Sequence, residues 1–361
     1  MLVDKFFENT FDLEKEKQEV VDFIQMKKNQ DSAEAVFYDK YYEIQDCIGE
    51  QFKISKLKSK LWNDTDISEI TPRALQVETK EQLDDWRYLI RFTSSFKNVS
   101  NPGRNMKFLV EDETSGKYLG ALTVTSDFGD LGARDKYIGW TRDDRYKNKR
   151  LNNVACGQAI IPIQPFGHNF LGGKLMALMI TSDTIRNAWE EKYGDVLVGM
   201  TTTSLYGTHS QYNSMPTFKK RGKTTGKMPI KLPKEMVRVW EEYFGEKRKV
   251  RSNLDTKIYR ECGMKPVDYV SGIQRGIYFC SFYENTNEFL CGNIKKSSLK
   301  IRQGFVNYNS YITDWWKPKA EKRFLKLQSE GRLINKLHFW DKLFGLSYEE
   351  AKQNYLGEVG R

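Results

Sequence analysis

The stretch Ala159-Ile160-Ile161-Pro162-Ile163, continued by Gln164-Pro165-Phe166-Gly167-His168-Asn169 and then by the apolar run from Leu171 to Ile180, decides the fold class. The isoleucine-rich run reads as a buried strand, the polar and proline-glycine residues as a loop, and the longer apolar run as a helix. Strand, glycine-containing loop and helix in that order place the chain among α/β proteins.

Working outward, Met106 to Val110 and Tyr118 to Val124 are β-prone runs separated by Glu111-Asp112-Glu113-Thr114-Ser115-Gly116-Lys117, which predicts a hairpin. Asp195-Val196-Leu197-Val198-Gly199-Met200-Thr201 predicts another buried strand after a helix over Ile185 to Tyr193. Thr79-x-x-Gln82 is a capping box that opens a helix carrying Trp86, Leu89, Ile90 and Phe92. Before it, Asp12 to about Leu61 has the spacing of two helices, ended by the break at Thr71-Pro72. Beyond Pro233 the chain turns helical again, with a strand-like run at Gly276 to Tyr283 and amphipathic spacing at Trp315 to Gln328 and Leu337 to Leu343. The expected organisation is a helical N-terminal extension over 1–78, an α/β core over 79–235, and a mostly helical α+β C-terminal extension over 236–361.

Composition narrows the function classes. In 361 residues, 58 Lys and Arg face 48 Asp and Glu, a formal charge of +10. Hydrophobic residues at 39% and aromatics at 13% describe a folded chain and not a disordered one. No window approaches eighteen consecutive apolar residues, and Met1-Leu2-Val3-Asp4-Lys5 leads into mixed charge, so a cytosolic protein with no membrane partner is expected. Five cysteines without a Cys-x-x-Cys pair indicate neither a disulfide scaffold nor a zinc ribbon, and the thiols are expected reduced and mostly buried; three scattered histidines rule out a His-Glu-x-x-His protease.

Three stretches carry candidate chemistry. The loop Gln164 to Asn169 precedes a helix whose amino end favours anions, and Gly167, His168, Asn169, Gly172 and Lys174 can cradle a pyrophosphate or serve as a structural turn. Ser204 to Asn213 is dense in hydroxyl, imidazole and amide groups, so Tyr206, Thr208, His209 and Tyr212 are the candidates for proton transfer and for orienting a polar substrate; for each residue singly the alternative is a capped polar turn. Phe218 to Lys227 packs Lys219, Lys220, Arg221, Lys223 and Lys227 with two glycines into ten residues, as a nucleic-acid contact or a solvated basic loop. Lys247 to Arg251 and Lys295 to Arg302 repeat the theme, and three separated basic clusters favour a nucleic-acid partner. Asp127, Asp130 and Asp135 are expected as surface carboxylates, or as a metal site with His168 or His209 if the fold gathers them. Asp314-Trp315-Trp316 reads as core packing, with base stacking as the alternative.

The order of short motifs resembles one family. Tyr118-Leu119-Gly120-Ala121-Leu122, Arg134-Asp135, Tyr137-Ile138-Gly139-Trp140, Ile161-Pro162, Asn169-x-x-Gly172-x-Lys174-Leu175, Trp189 to Gly194, Gly207-Thr208 and Gly222-Lys223-Thr224-x-Gly226 are similar to the DruA family of the Druantia antiphage system. That domain in turn looks like the phage Mom proteins, which modify adenine in DNA, and both are similar to the GNAT acyltransferase fold. The resemblance implies a GNAT-like mixed sheet. It also implies an acyl donor such as acetyl-CoA at Gln164 to Lys174, iron as an allowed addition, and action on DNA in a bacterial cell beside other phage or defence proteins. Against the GNAT pattern, Gln164-x-x-Gly167-x-Asn169 ends in Asn, and Tyr212 is followed by Asn213-Ser214-Met215 where the DruA pattern has Ala-Asn-Trp. Two functions therefore stand as expectations: a GNAT-like transferase that modifies a DNA base, adenine foremost, and a non-catalytic DNA-binding component of a phage or defence complex. A phage structural protein is a third. Donor, target base, metal and oligomeric state are left open, as is whether the chain serves phage protection or host defence.

Overall fold

The computed structural model describes residues 12–29, 32–94, 103–204, 210–226, 228–249, 253–272, 274–336 and 340–359. Its strands are β1 Pro72–Gln76, β2 Asn105–Asp112, β3 Lys117–Ser126, β4 Val154–Pro162, β5 Gly199–Thr203, β6 Lys219–Lys223, β7 Met228–Pro229, β8 Val270–Ser271 and β9 Gly276–Ser281. Seven of them form one mixed sheet in the order β1-β2-β3-β4-β5-β9-β6, and β7 with β8 makes a separate pair. All neighbours in the large sheet are antiparallel except β4 and β5. A parallel pair needs a crossover, and the helices Gly172–Met179 and Asp183–Tyr193 lie on that connection.

Local chemistry accounts for the main elements. Thr79 Oγ1 accepts the Gln82 N–H at 3.2 Å and Gln82 Oε1 accepts the Thr79 N–H at 3.0 Å, so the expected capping box opens the helix Lys80–Thr93. That helix buries Trp86, Leu89, Ile90 and Phe92, and Trp86 Nε1 donates to Leu122 O of β3 at 3.1 Å. The predicted hairpin is β2–β3, turned at Gly116, whose φ of 64° suits glycine. Between its two end residues β3 is buried throughout, which matches a strand covered on both faces.

The chain divides by internal contacts at points other than residues 78 and 235. One unit is Met1–Ala35 with Thr225–Gln274, and the other is Val36–Thr224 with Arg275–Arg361. The smaller unit has its own core, built from Val20, Ile24, Leu232, Val237, Trp240, Ile258, Tyr259 and Tyr269. The larger holds the seven-stranded sheet.

Several expectations are corrected here. The N-terminal segment forms three helices, Leu13–Asn29, Ser32–Gln45 and Gln51–Ser59, instead of two. Residues 72–76 form a sheet edge, because proline is tolerated as the first residue of an edge strand where its missing N–H breaks no ladder. Residues 276–281 sit inside the same sheet, between β5 and β6, so two of its strands come from outside residues 79–235. Asp195 to Val198 precede β5 without joining it, although Val196 to Val198 are buried. Trp316 is fully buried, in keeping with core packing. Residues 337–339 lie outside the described residues, and Trp340–Leu343 is a single 3-10 turn.

Candidate functional site

β4 and β5 pair only over Val154–Cys156 and Gly199–Thr201, and beyond those residues they part. The carbonyls of β4 that a longer β5 would have taken are met by side chains. Thr202 Oγ1 donates to Gly157 O at 2.9 Å, and Gln211 Nε2 donates to Ile160 O at 3.1 Å. The Tyr212 hydroxyl lies 3.5 Å from Thr202 Oγ1, and its ring packs between Phe218 and Tyr278. Tyr278 OH donates to Asn213 Oδ1 at 2.7 Å. Residues 211–213 thus fill the opening between the two strands.

The strand-loop-helix stretch meets this loop from the other side. Lys174, in the first turn of Gly172–Met179, donates from Nζ to Gln211 O at 3.1 Å and Asn213 O at 2.7 Å. Its ammonium is therefore committed to the loop's backbone, and burial, then Lys319, hold its pKa below the ordinary lysine value. A Cβ on Gly173 would fall 2.4 Å from Gln211 Oε1, and one on Gly172 would fall 2.6 Å from the Phe166 ring, so both glycines allow close approach. The two stretches singled out from sequence come together through Lys174, Gln211 and Asn213, a relation that no sequence spacing reveals.

The remaining residues of the expected cradle hold the chain itself. Gln164 Oε1 accepts the His168 N–H at 2.9 Å. The Asn169 amide exchanges two hydrogen bonds with the backbone of Ile334, at 2.8 and 3.1 Å. Gly167 is confined by Gln164 and Pro162. Phe166 and Phe170 pack with Trp62, Trp316 and Phe324, the Phe170–Phe324 rings stacking at 4.7 Å. Burial, then Arg323, lower the His168 pKa, which leaves its imidazole neutral at pH 7. Burial pushes the Tyr212 phenol up to about 12, so it stays protonated at neutral pH. Tyr206, Thr208 and His209 lie outside the described residues, as does Lys227.

The basic stretch is not a loop. Lys219–Lys223 is the last strand of the sheet, paired to β9 on one side only, with a bulge between Lys220 and Gly222. It has no apolar residue, so it is a strand through pairing and not through propensity. Lys219, Lys220 and Lys223 are exposed. Lys219 Nζ donates to Met215 O at 2.9 Å, and the Arg221 guanidinium sits 3.5 Å from the centre of the Tyr137 ring. Among the described residues Lys220 and Lys223 face no carboxylate within ion-pair distance. In the smaller unit, Arg248 is engaged by Asp255 at 2.7 Å.

A buried charge network was missed by sequence reasoning. Asp127 and Arg134 have side chains with no solvent exposure and lie 2.8 Å apart. Thr201 Oγ1 of β5 donates to Asp127 at 2.6 Å, Arg134 also reaches Asp135 at 2.6 Å, and Trp140 Nε1 donates to Asp135 at 3.0 Å. Arg145 joins Asp135 to Asp130. Asp127 and Asp135 are thus neither surface carboxylates nor metal ligands but partners of two arginines. Among the described residues no three His, Cys, Asp or Glu side chains gather as a metal site. The available signal was Asp127, Arg134, Asp135 and Trp140 recurring within a short stretch.

A mixed α/β domain with interlocked loops at the end of the parallel β4–β5 pair, and a cationic edge strand, is the class of protein these residues define. The family model described as Druantia protein DruA matches residues 15–292, and the chain belongs to that family. A curated relative, the Druantia protein DruA of Escherichia coli (strain UMEA 4076-1), is 30% identical over 158 residues. That match covers 40% of this chain and 38% of the relative. No solved structure matches significantly. No helix among the described residues is long and apolar enough to cross a membrane.

Proposed function

We propose that this chain is the nucleic-acid-binding member of a Druantia-type antiphage system, working with other defence proteins and gripping a phosphodiester backbone along β6. The observation that carries this reading is the open edge strand Lys219–Lys223, whose exposed lysines stand on a chain of formal charge +10. Lysines on an edge strand also prevent edge-to-edge pairing of copies. The additional glycine and the ring-supported Arg221 suit close approach of a polyanion. In cells carrying the complete defence system, replacing Lys219, Lys220 and Lys223 with Glu is expected to abolish protection in a phage plaque assay while the protein accumulates normally. Full protection by that variant removes β6 from the function.

A second reading, a GNAT-like transferase that modifies a DNA base, is favoured by one observation: β4 and β5 part after three paired residues, and the polar side chains of Thr202, Gln211 and Tyr212 converge between them. As placed, however, Lys174 is held by the carbonyls of Gln211 and Asn213, and Phe166 lies against Gly172. This arrangement does not fit the pyrophosphate of an acyl-CoA. Mass spectrometry of nucleosides from DNA of expressing cells separates the readings. A new nucleoside that disappears with His209→Ala would establish the transferase, whereas unmodified DNA with protection intact leaves the binding member.

A further inference from the structure

The amino-terminal ends of β4 and β5 face away from the loops described above, since residues 164–174 and 204–213 follow the carboxyl ends of the same strands. At that far end, roughly 25 Å away along β4 at about 3.3 Å per residue, lies an open pocket of about 760 Å³. It is lined by the segment before β4, the turn before β5 and the chain that follows the helix Thr286–Leu290. Its size is in the range of small-molecule sites.

Its charge is one-sided. Lys149, Arg150, Lys295 and Lys296 line it against the single carboxylate of Asp195, which is already ion-paired with Arg104. Lys296 is paired with Glu190 at the rim. Lys149 and Lys295 have no ion pair among the described residues. Arg150 is held in place by its guanidinium lying 4.5 Å from the centre of the Phe289 ring, and its buried Nε has no hydrogen-bond partner. Cations in excess of carboxylates around an open cavity favour an anionic ligand. Phe289 is 3% exposed beneath Arg150, so no ring is offered for a base to stack on.

We propose that this pocket binds a phosphate-bearing ligand, a nucleotide or a nucleic-acid strand end, through Lys149, Arg150 and Lys295. The site is independent of β6. The test uses the full chain and isothermal titration with three probes: inorganic tripolyphosphate, ATP, and a short single-stranded oligonucleotide with a 5′-phosphate. At least one probe is expected to bind with a Kd below about 1 mM. The double variant Lys149→Gln, Lys295→Gln is expected to weaken that probe tenfold or more without lowering Tm, and Arg150→Gln to weaken it likewise. The β6 variant should bind tripolyphosphate and ATP as the wild type does, so loss of β6 function and loss of this site are read separately. Binding of ATP and tripolyphosphate identifies a free nucleotide as the source, and binding of the oligonucleotide alone identifies a strand end. Failure of all three probes, or equal affinity in the wild type and the double variant, overturns the proposal.

Discussion

The Arg134 guanidinium stands 2.8 Å from the Asp127 carboxylate with both side chains wholly removed from solvent. The pair joins the helix Gly132–Ile138 to the end of β3, and Thr201 ties it to the middle of β5. It is a structural bolt between these elements, with neither side chain reaching solvent. Arg134→Met strands the buried Asp127 carboxylate, whereas Asp127→Asn leaves Arg134 paired with Asp135, so Arg134→Met is expected to cost about 3–5 kcal/mol and Asp127→Asn less, read as lowered urea midpoints. The double variant should recover much of that loss. Single variants as stable as the wild type would show that the pair is dispensable.

Lys174 offers a second prediction. Its bonds to Gln211 O and Asn213 O are charge-assisted, and Lys174→Met is expected to cost about 1.5–3 kcal/mol. Amide hydrogen exchange should accelerate at residues 210–213 and leave β2 and β3 as they were. Unchanged exchange there would mean that the ammonium does not hold the loop.

The buried Tyr212 phenol sets a pH dependence. Its pKa is raised from 10.0 to about 12 in the folded chain, first by burial. The neutral phenol is thus favoured by folding. Its contribution is complete below pH 10 and is lost as pH rises through about 12, amounting to about 2–3 kcal/mol. Wild type should therefore lose more stability than Tyr212→Phe when denaturant titrations at pH 9 and pH 11.5 are compared. Parallel losses in the two proteins would contradict a buried, protonated phenol.

Close packing at the helix start is testable with one methyl group. Gly172→Ala places Cβ against Phe166 and 2.9 Å from the Gly167 backbone, neither of which can retreat cheaply. A loss of about 1–3 kcal/mol is expected from a thermal melt. Neutrality would mean that the Phe166–Trp62 cluster is looser than these contacts imply.

What was legible in the sequence was what neighbouring residues decide. The capping box at Thr79 and Gln82, the turn at Gly116 and the apolar run after Leu171 act within a few residues of themselves, and each produced the expected element. What escaped depends on distant partners. Lys219–Lys223 has no strand propensity and becomes a strand only because β9 supplies its ladder. Asp127 reads as a surface charge until Arg134 and Thr201 enclose it. The meeting of Lys174 with Gln211 and Asn213 spans nearly forty residues and joins two stretches that looked like separate sites.

The measurement that tests the central claim most directly is the salt dependence of DNA affinity for the wild-type chain beside Lys219→Ala, Lys220→Ala, Lys223→Ala. Each phosphate contact contributes a slope of about 0.9 in log K against log salt on duplex DNA. The account predicts a steep wild-type slope that falls by about 2 to 3 in the triple variant, with affinity lowered at every sequence tested. A wild-type chain that does not bind DNA at low salt, or a triple variant with an unchanged slope, would contradict it.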